Sequence, residues 1–336
     1  MQIGLQVQSS EMKPSLDGFF YYICEKYLTM KEVIKIIAIC FLLGLFSNSA
    51  FGIIPNRKYV NSPEKMGLVY KELNVITSDN LKIKTWFIPA QTTLSEEELD
   101  VAWNNPVKKE YKLIDNEKRP TVIIANGDAG NMSYQQLVYA QYFTNHGYNV
   151  ATFDWRGFGE SDEWEMNIDY LVYTEFLTDY DAVIKEVMKQ PEVDTSRIAV
   201  FGWSTGAYLS MAASSKYSNI KCFVAIGLMT SFEEVAPVLK KVPKNINRNL
   251  IFPDDYPKEL QPIYLASHYN KSVFLIVGEH DDRTPVWMNE KIFDKLSGKK
   301  ELWIVENASH TIIDGERSLW NLLNEKIVRF LDINLK

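Results

Sequence analysis

Three side chains of this sequence have the types needed to pass a proton in line: a serine between glycines, a later aspartate and a late histidine. The serine lies in Gly202-Trp203-Ser204-Thr205-Gly206. The apolar run Ile198–Phe201 precedes it, and a small-residue stretch with Ala207, Ser210, Ala212 and Ala213 follows. This reads as strand, sharp turn and helix, the setting in which Gly-x-Ser-x-Gly exposes a nucleophilic hydroxyl. The flanking glycines let backbone approach without a clashing Cβ. The helix start aims free N–H groups and a positive dipole end at any oxyanion formed beside Ser204. The acid candidates stand in Val277-Gly-Glu-His-Asp281-Asp282-Arg-Thr-Pro285, and the histidine in Glu306-Asn-Ala-Ser-His310. Serine, then aspartate, then histidine is one of the chain orders in which a nucleophile, an acid and a base form a proton-passing triad.

These residues need a scaffold that brings them to one rim. From Thr121 onward short Val/Ile-rich runs alternate with helical patterns. Strands are expected over Thr121–Ala125, Asn149–Phe153, Arg197–Phe201, Cys222–Ile226, Val273–Val277 and Leu302–Val305. Helices are expected over about 134–145, 170–189, the stretch after Ser204, 287–296 and 318–331. Such alternation predicts an α/β fold: a mostly parallel, doubly wound sheet with helices on both faces. Ligands of such sheets bind beyond the carboxyl ends of the strands, where each candidate falls. Ahead of it, Val69–Ile76, the turn Asp79-Asn80 and Leu81–Ile88 read as a hairpin. Residues 91–119 read as a polar insertion at the sheet edge, and residues 229–270 as a small lid over Ser204. Pro237, Pro243 and Pro253 punctuate that lid as helix breakers.

With those motifs placed, the chain resembles the α/β-hydrolase superfamily, and within it the Bem46-like or serine-aminopeptidase-like branch, from about Tyr70 to Leu331. The segment Gly278-x-x-Asp281-x-x-Thr-Pro285 is similar to that branch's acid motif and implies Asp281 as the acid, with Asp282 as the alternative. Ser309-His310 stands where the branch has its catalytic histidine. Asp154-x-Arg-Gly-x-Gly-x-Ser161 is similar to a loop that shapes the site rim, with Asp154 and Arg156 tied to backbone. Asn126-Gly-Asp-Ala-Gly-Asn131 resembles the branch's oxyanion loop, with Asn126 in place of histidine and Asp128 in place of asparagine. The resemblance implies an oxyanion hole from the backbone N–H groups of Asp128 and Thr205. It implies a serine hydrolase cleaving a carboxylic ester or thioester of a small acyl substrate through an acyl-enzyme. A peptidase acting on short peptides, or a catalytically weak binding protein on the same fold, are the alternatives. That chemistry calls for no metal and no cofactor.

Composition agrees with a globular domain. The chain has 336 residues, 46% hydrophobic and 24% charged, with net charge −7, which argues against a nucleic-acid partner. The three cysteines, Cys24, Cys40 and Cys222, imply no disulfide framework, and the four histidines have no zinc-type spacing. Residues 1–52 read as an N-terminal extension with a secretory signal peptide, and 53–336 as the hydrolase domain. Lys31 and Lys35 precede the apolar run Ile36–Phe46, and small residues Ala50 and Gly52 follow. An exported protein, periplasmic or secreted, is expected. An uncleaved anchor associating with a membrane through residues 33–54 is the alternative. Met30 opens the positively charged stretch and competes with Met1 as the start. Ile39 before Cys40 argues against a lipoprotein site.

Overall fold

The computed structural model describes residues 53–92, 113–115, 117–246, 248–312 and 317–335. The expected signal segment and most of the 91–119 insertion lie outside the described residues. Where the insertion's ends are described, Gln91 and Leu113 meet in an antiparallel bridge. Among the described residues no helix is long and apolar enough to cross a membrane.

Eight strands form the central sheet: β1 (Lys71–Ile76), β2 (Lys82–Ile88), β3 (Arg119–Ala125), β4 (Asn149–Phe153), β5 (Val193–Trp203), β6 (Ile220–Ile226), β7 (Ser272–Gly278) and β8 (Lys300–Val305). Their order across the sheet is β8-β7-β6-β5-β3-β4-β2-β1. β2 runs antiparallel to both β1 and β4, and every other pairing is parallel. The β1–β2 hairpin closes with Asn80 at φ 68° and with the Thr77 hydroxyl accepting from Leu81 N–H at 2.8 Å. The inner parallel strands are buried on both faces, which explains their unbroken apolar runs.

Helices α1 (Gln135–Asn145), α2 (Phe176–Met188), α3 (Thr205–Ser215), α4 (Phe232–Leu239), α5 (Val286–Lys295) and α6 (Arg317–Leu335) cover that sheet. Alternate strand residues feed two cores. Ile123, Val200, Phe223 and Leu275 pack with Tyr180 of α2, Leu209 of α3 and Met288 of α5. Val122, Phe201, Val224 and Ile276 pack with Phe143 of α1 and Ile327 of α6. The α3 stretch is small-residued because it is buried on nearly every side, so bulk has nowhere to go.

Two local expectations are corrected. The helix expected from Tyr170 starts at Phe176. Residues 169–171 are instead taken by tertiary pairing: Ile251 N–H donates to Asp169 O at 2.8 Å, Leu171 N–H to Ile251 O at 3.0 Å, and Ile53 N–H to Tyr170 O at 2.9 Å. Pro237 does not break its helix but sits inside α4. The carbonyl it leaves without a donor belongs to Glu233, an exposed residue that water can reach. The 229–270 segment docks on α3, with the Phe232 and Tyr256 rings 5.2 and 5.3 Å from that of Tyr208.

Candidate active site

Sheet order reverses between β3 and β5. β3 lies between β4 and β5, so the loop after β3 and the turn after β5 meet at the carboxyl edge. Ala125 pairs with Gly202 in register, which sets Asn126-Gly127 beside Trp203-Ser204. A Cβ built on Gly127 would sit 3.9 Å from Ser204 Cβ. One on Gly202 would lie 2.6 Å from the Gly206 carbonyl, and one on Gly206 would overlap the Asn126 carbonyl. Both flanking positions are therefore closed to any side chain, as the motif implied. Ser204 itself adopts φ 55°, ψ −124°, a conformation an L-residue adopts only under constraint. Its N–H donates to Ile226 O at 2.8 Å and its carbonyl accepts from Tyr208 N–H at 3.1 Å, which hold it there. The Ser204 side chain is half-exposed while its neighbours Gly202 and Thr205 are buried.

His310 comes off the loop after β8, with Nε2 3.1 Å from Ser204 Oγ and Nδ1 2.8 Å from Asp281 Oδ2. A carboxylate only accepts, so Nδ1 carries the proton and Nε2 is free to accept from the serine hydroxyl. His310 is 3% and Asp281 5% exposed. Asp281 Oδ1 accepts from the N–H groups of Arg283 and Thr284 at 2.9 and 2.8 Å, and Oδ2 also accepts from Thr284 Oγ1 at 2.8 Å. Burial pushes the Asp281 carboxyl up. The His310 imidazole and the Thr284 donors outweigh it, and the net position is below the ordinary carboxylate range. Asp282 is exposed and outside this line. The acid and histidine loops are pressed together: a Cβ on Gly278 would overlap the carbonyls of Ala308 and Ser309. Backbone bonds run from Glu279 N–H to Val305 O at 2.9 Å and from His280 N–H to Ala308 O at 2.8 Å.

Thr205 is the first residue of α3, so its N–H has no acceptor within the helix. The Asp128 loop is tethered from the N-terminal side. Ile54–Pro55 pairs in parallel with Ala129–Gly130, and Ile54 N–H donates to Asp128 O at 2.8 Å. Asn126, the departure from histidine, donates from Nδ2 to Ala129 O at 3.1 Å and so braces the loop from inside. Burial pulls the Arg283 guanidinium down, and the charges of Asp128, Asp282 and Asp281 oppose that. The Asp128 carboxylate thus has a counter-charge at the site rim.

The Asp154 loop departs from its expected bonding. Arg156 is not tied to backbone by its side chain. Its guanidinium grips the carboxylates of Asp179 (2.8 Å) and Asp79 (2.6 Å). Asp154 reaches further than expected, accepting from Met132 N–H, just past the Asn126–Asn131 loop, and from the Tyr59 hydroxyl, both at 2.6 Å. Burial pushes its carboxyl up to about 7, against the pull of those two donors. Thr284 and Tyr59 are site-supporting residues that motif reading passed over. A Thr three residues after an Asp at a strand end was the available signal for the first. Tyr59 acts across 95 residues and left none. Among the described residues no group of acidic, cysteine and histidine side chains could hold a metal ion.

Comparison with known proteins agrees with this architecture. An esterase of Pyrococcus furiosus, Pf2001, superposes with TM-score 0.61 at 20% identity, over 85% of this chain and 98% of its own. An acylaminoacyl peptidase of Pyrococcus horikoshii superposes with TM-score 0.61 at 16% identity, over 80% of this chain and 42% of its own. A 31.7 kDa Escherichia coli protein of the traX-finO intergenic region is 34% identical over 110 residues, 33% of this chain and 37% of that relative. The likenesses in structure show an α/β-hydrolase fold. The prolyl oligopeptidase family model matches residues 134–336, which span α1 to α6 and all three of Ser204, Asp281 and His310. The chain therefore belongs to the prolyl oligopeptidase family, hydrolases of the α/β-hydrolase superfamily.

Proposed function

We propose that this protein is a serine hydrolase that cleaves a carboxylic ester or thioester through Ser204, His310 and Asp281. The observation that carries the reading is the unbroken line from Ser204 Oγ to His310 Nε2 and from Nδ1 to the buried Asp281 carboxylate. Ser204 attacks the acyl carbon as His310 takes its proton. His310 then returns the proton to the leaving group, and Asp281 stabilises the imidazolium and fixes its tautomer. The N–H groups of Thr205 and Asp128 receive the tetrahedral oxyanion, and loss of one such donor costs about 3 kcal/mol. Water then releases the acyl group, with His310 as base.

Two features favour an ester over a peptide bond. The Pf2001 esterase matches along 98% of its length, whereas the acylaminoacyl peptidase does so along 42%. The aromatic packing of Phe232, Phe252 and Tyr256 beside α3 supports apolar acyl or aryl groups over highly charged ones. Peptide cleavage is the second reading, favoured by the family's peptidase members. The deciding experiment is labelling with a fluorophosphonate probe, using Ser204→Ala as control. A Ser204-dependent adduct is expected, and no adduct on the wild-type protein would sink the catalytic reading. Turnover of p-nitrophenyl esters against aminoacyl anilides then separates ester from peptide chemistry, with esters expected to turn over at least about 100-fold faster, about 2.7 kcal/mol in barrier.

A further inference from the structure

Gln136, the second residue of α1, is 3% exposed, and neither its Oε1 nor its Nε2 has a hydrogen-bond partner among the described residues. Burying an unpaired primary amide is costly, since it loses water at both its donor and its acceptor. The side chain lines a cavity of about 20 Å³, enough for a group the size of one water molecule. Ile124, Ala125, Asn126, Phe201 and Trp203 form walls of the same cavity. Two of these place it against the reaction centre. Trp203 precedes Ser204 in the chain and donates from Nε1 to the His310 carbonyl at 3.4 Å. Asn126 opens the loop whose next residue, Gly127, packs against Ser204. None of the residues lining the cavity is charged. A charged occupant would lose its hydration with only neutral side chains, Asn126, Gln135, Gln136 and Tyr139 among them, to replace it. A neutral group that both donates and accepts would match Oε1 and Nε2 at once.

We infer that this cavity is a subsite for a small neutral hydrogen-bonding substituent of the substrate, a hydroxyl, read by the side-chain amide of Gln136. The inference rests on the serine-hydrolase reading and narrows its substrate class to acyl compounds bearing such a substituent. It assigns Gln136 to specificity and gives it no part in bond making or breaking.

The test compares kcat/KM for p-nitrophenyl hexanoate with that for its 3-hydroxy and 6-hydroxy derivatives, in the wild-type protein and in Gln136→Leu. The wild type is expected to prefer at least one hydroxylated ester. That preference, taken as the ratio of hydroxylated to plain ester within each protein, should fall about tenfold in Gln136→Leu, the size of one buried neutral hydrogen bond. Equal preference ratios in the two proteins overturn the subsite. Should Gln136→Leu fail to fold, Gln136→Met carries the same comparison. Failure of the parent reading has a separate signature, namely no Ser204 adduct and no turnover of any ester. The subsite is then judged from a crystal structure of Ser204→Ala with 3-hydroxyhexanamide. The ligand hydroxyl on Gln136 supports it, and a Gln136 amide satisfied by protein groups overturns it.

Discussion

Asp281 and Asp282 differ by one position in the chain and by a wide margin in surroundings. Asp281 is 5% exposed and bonded to an imidazole, a hydroxyl and two backbone N–H groups, whereas Asp282 faces solvent. Asp281→Asn is expected to lower kcat about 10⁴-fold with little change in KM, because an amide no longer enforces the right imidazole tautomer. Asp282→Asn should stay within about twofold. Steady-state kinetics of the two variants check the pair, and equal losses would contradict the assignment. Sequence order alone supplied an aspartate after β7 and a histidine after β8. It could not choose between two adjacent carboxylates, since burial decides that and burial is a property of packing. The Thr284 hydroxyl on Asp281 left a trace, a threonine three residues after an aspartate at a strand end, but the bond itself depends on the turn closing. Asp281, held below the ordinary range, adds stability that is present above its unfolded pKa and is lost as pH falls through the folded one.

At the scale of single elements, the turn between β5 and α3 stores strain. Ser204 holds φ 55° and ψ −124°, and such a conformation costs a side-chain-bearing residue about 1–3 kcal/mol. Ser204→Gly is therefore expected to raise stability by about 1 kcal/mol while abolishing probe labelling, as read by urea unfolding alongside the fluorophosphonate assay. A loss of stability would show the turn to be relaxed. This element was the most legible in the sequence, because strand, turn glycines and small-residue helix each follow from one steric demand. The α2 helix was less so. Its residues 170–175 carry helical periodicity, but bonds to Ile251 and Ile53, distant in sequence, take the backbone first. No local pattern announces such a pairing. Pro237 shows the converse: a local rule against helix gave way because Glu233, whose carbonyl it orphans, is solvated.

For the whole molecule, the alternation of buried runs with helical stretches fixed the class of sheet, since parallel strands must be apolar on both faces. The tethering of the Asn126–Asn131 loop by residues 54–59 was not legible, because those contacts join segments about 75 residues apart. Asp154 couples these parts, bonding Met132 N–H with one oxygen and Tyr59 with the other. Burial moves its carboxyl from 3.8 to about 7, so the folded state holds its proton more tightly than the unfolded chain. The sign follows: its contribution to stability is complete below about pH 4 and is lost as pH rises through about 7. The stability difference between wild type and Asp154→Asn should therefore shift against the wild type from pH 4.5 to 6.5, measured by urea unfolding. A shift in the opposite direction would show that the carboxylate, and not the acid, is the form the fold prefers.

The stitching of the β7 and β8 extensions bears on how this centre handles its substrate. With Glu279 and His280 continuing the ladder past the strand ends, the loops that carry Asp281 and His310 arrive as one preassembled plate. Any breathing that admits a reactant must then occur elsewhere, in the segment docked on α3 or in the Asn126–Asn131 loop. In amide hydrogen exchange the Glu279 and His280 protons should persist as long as those of β7 itself.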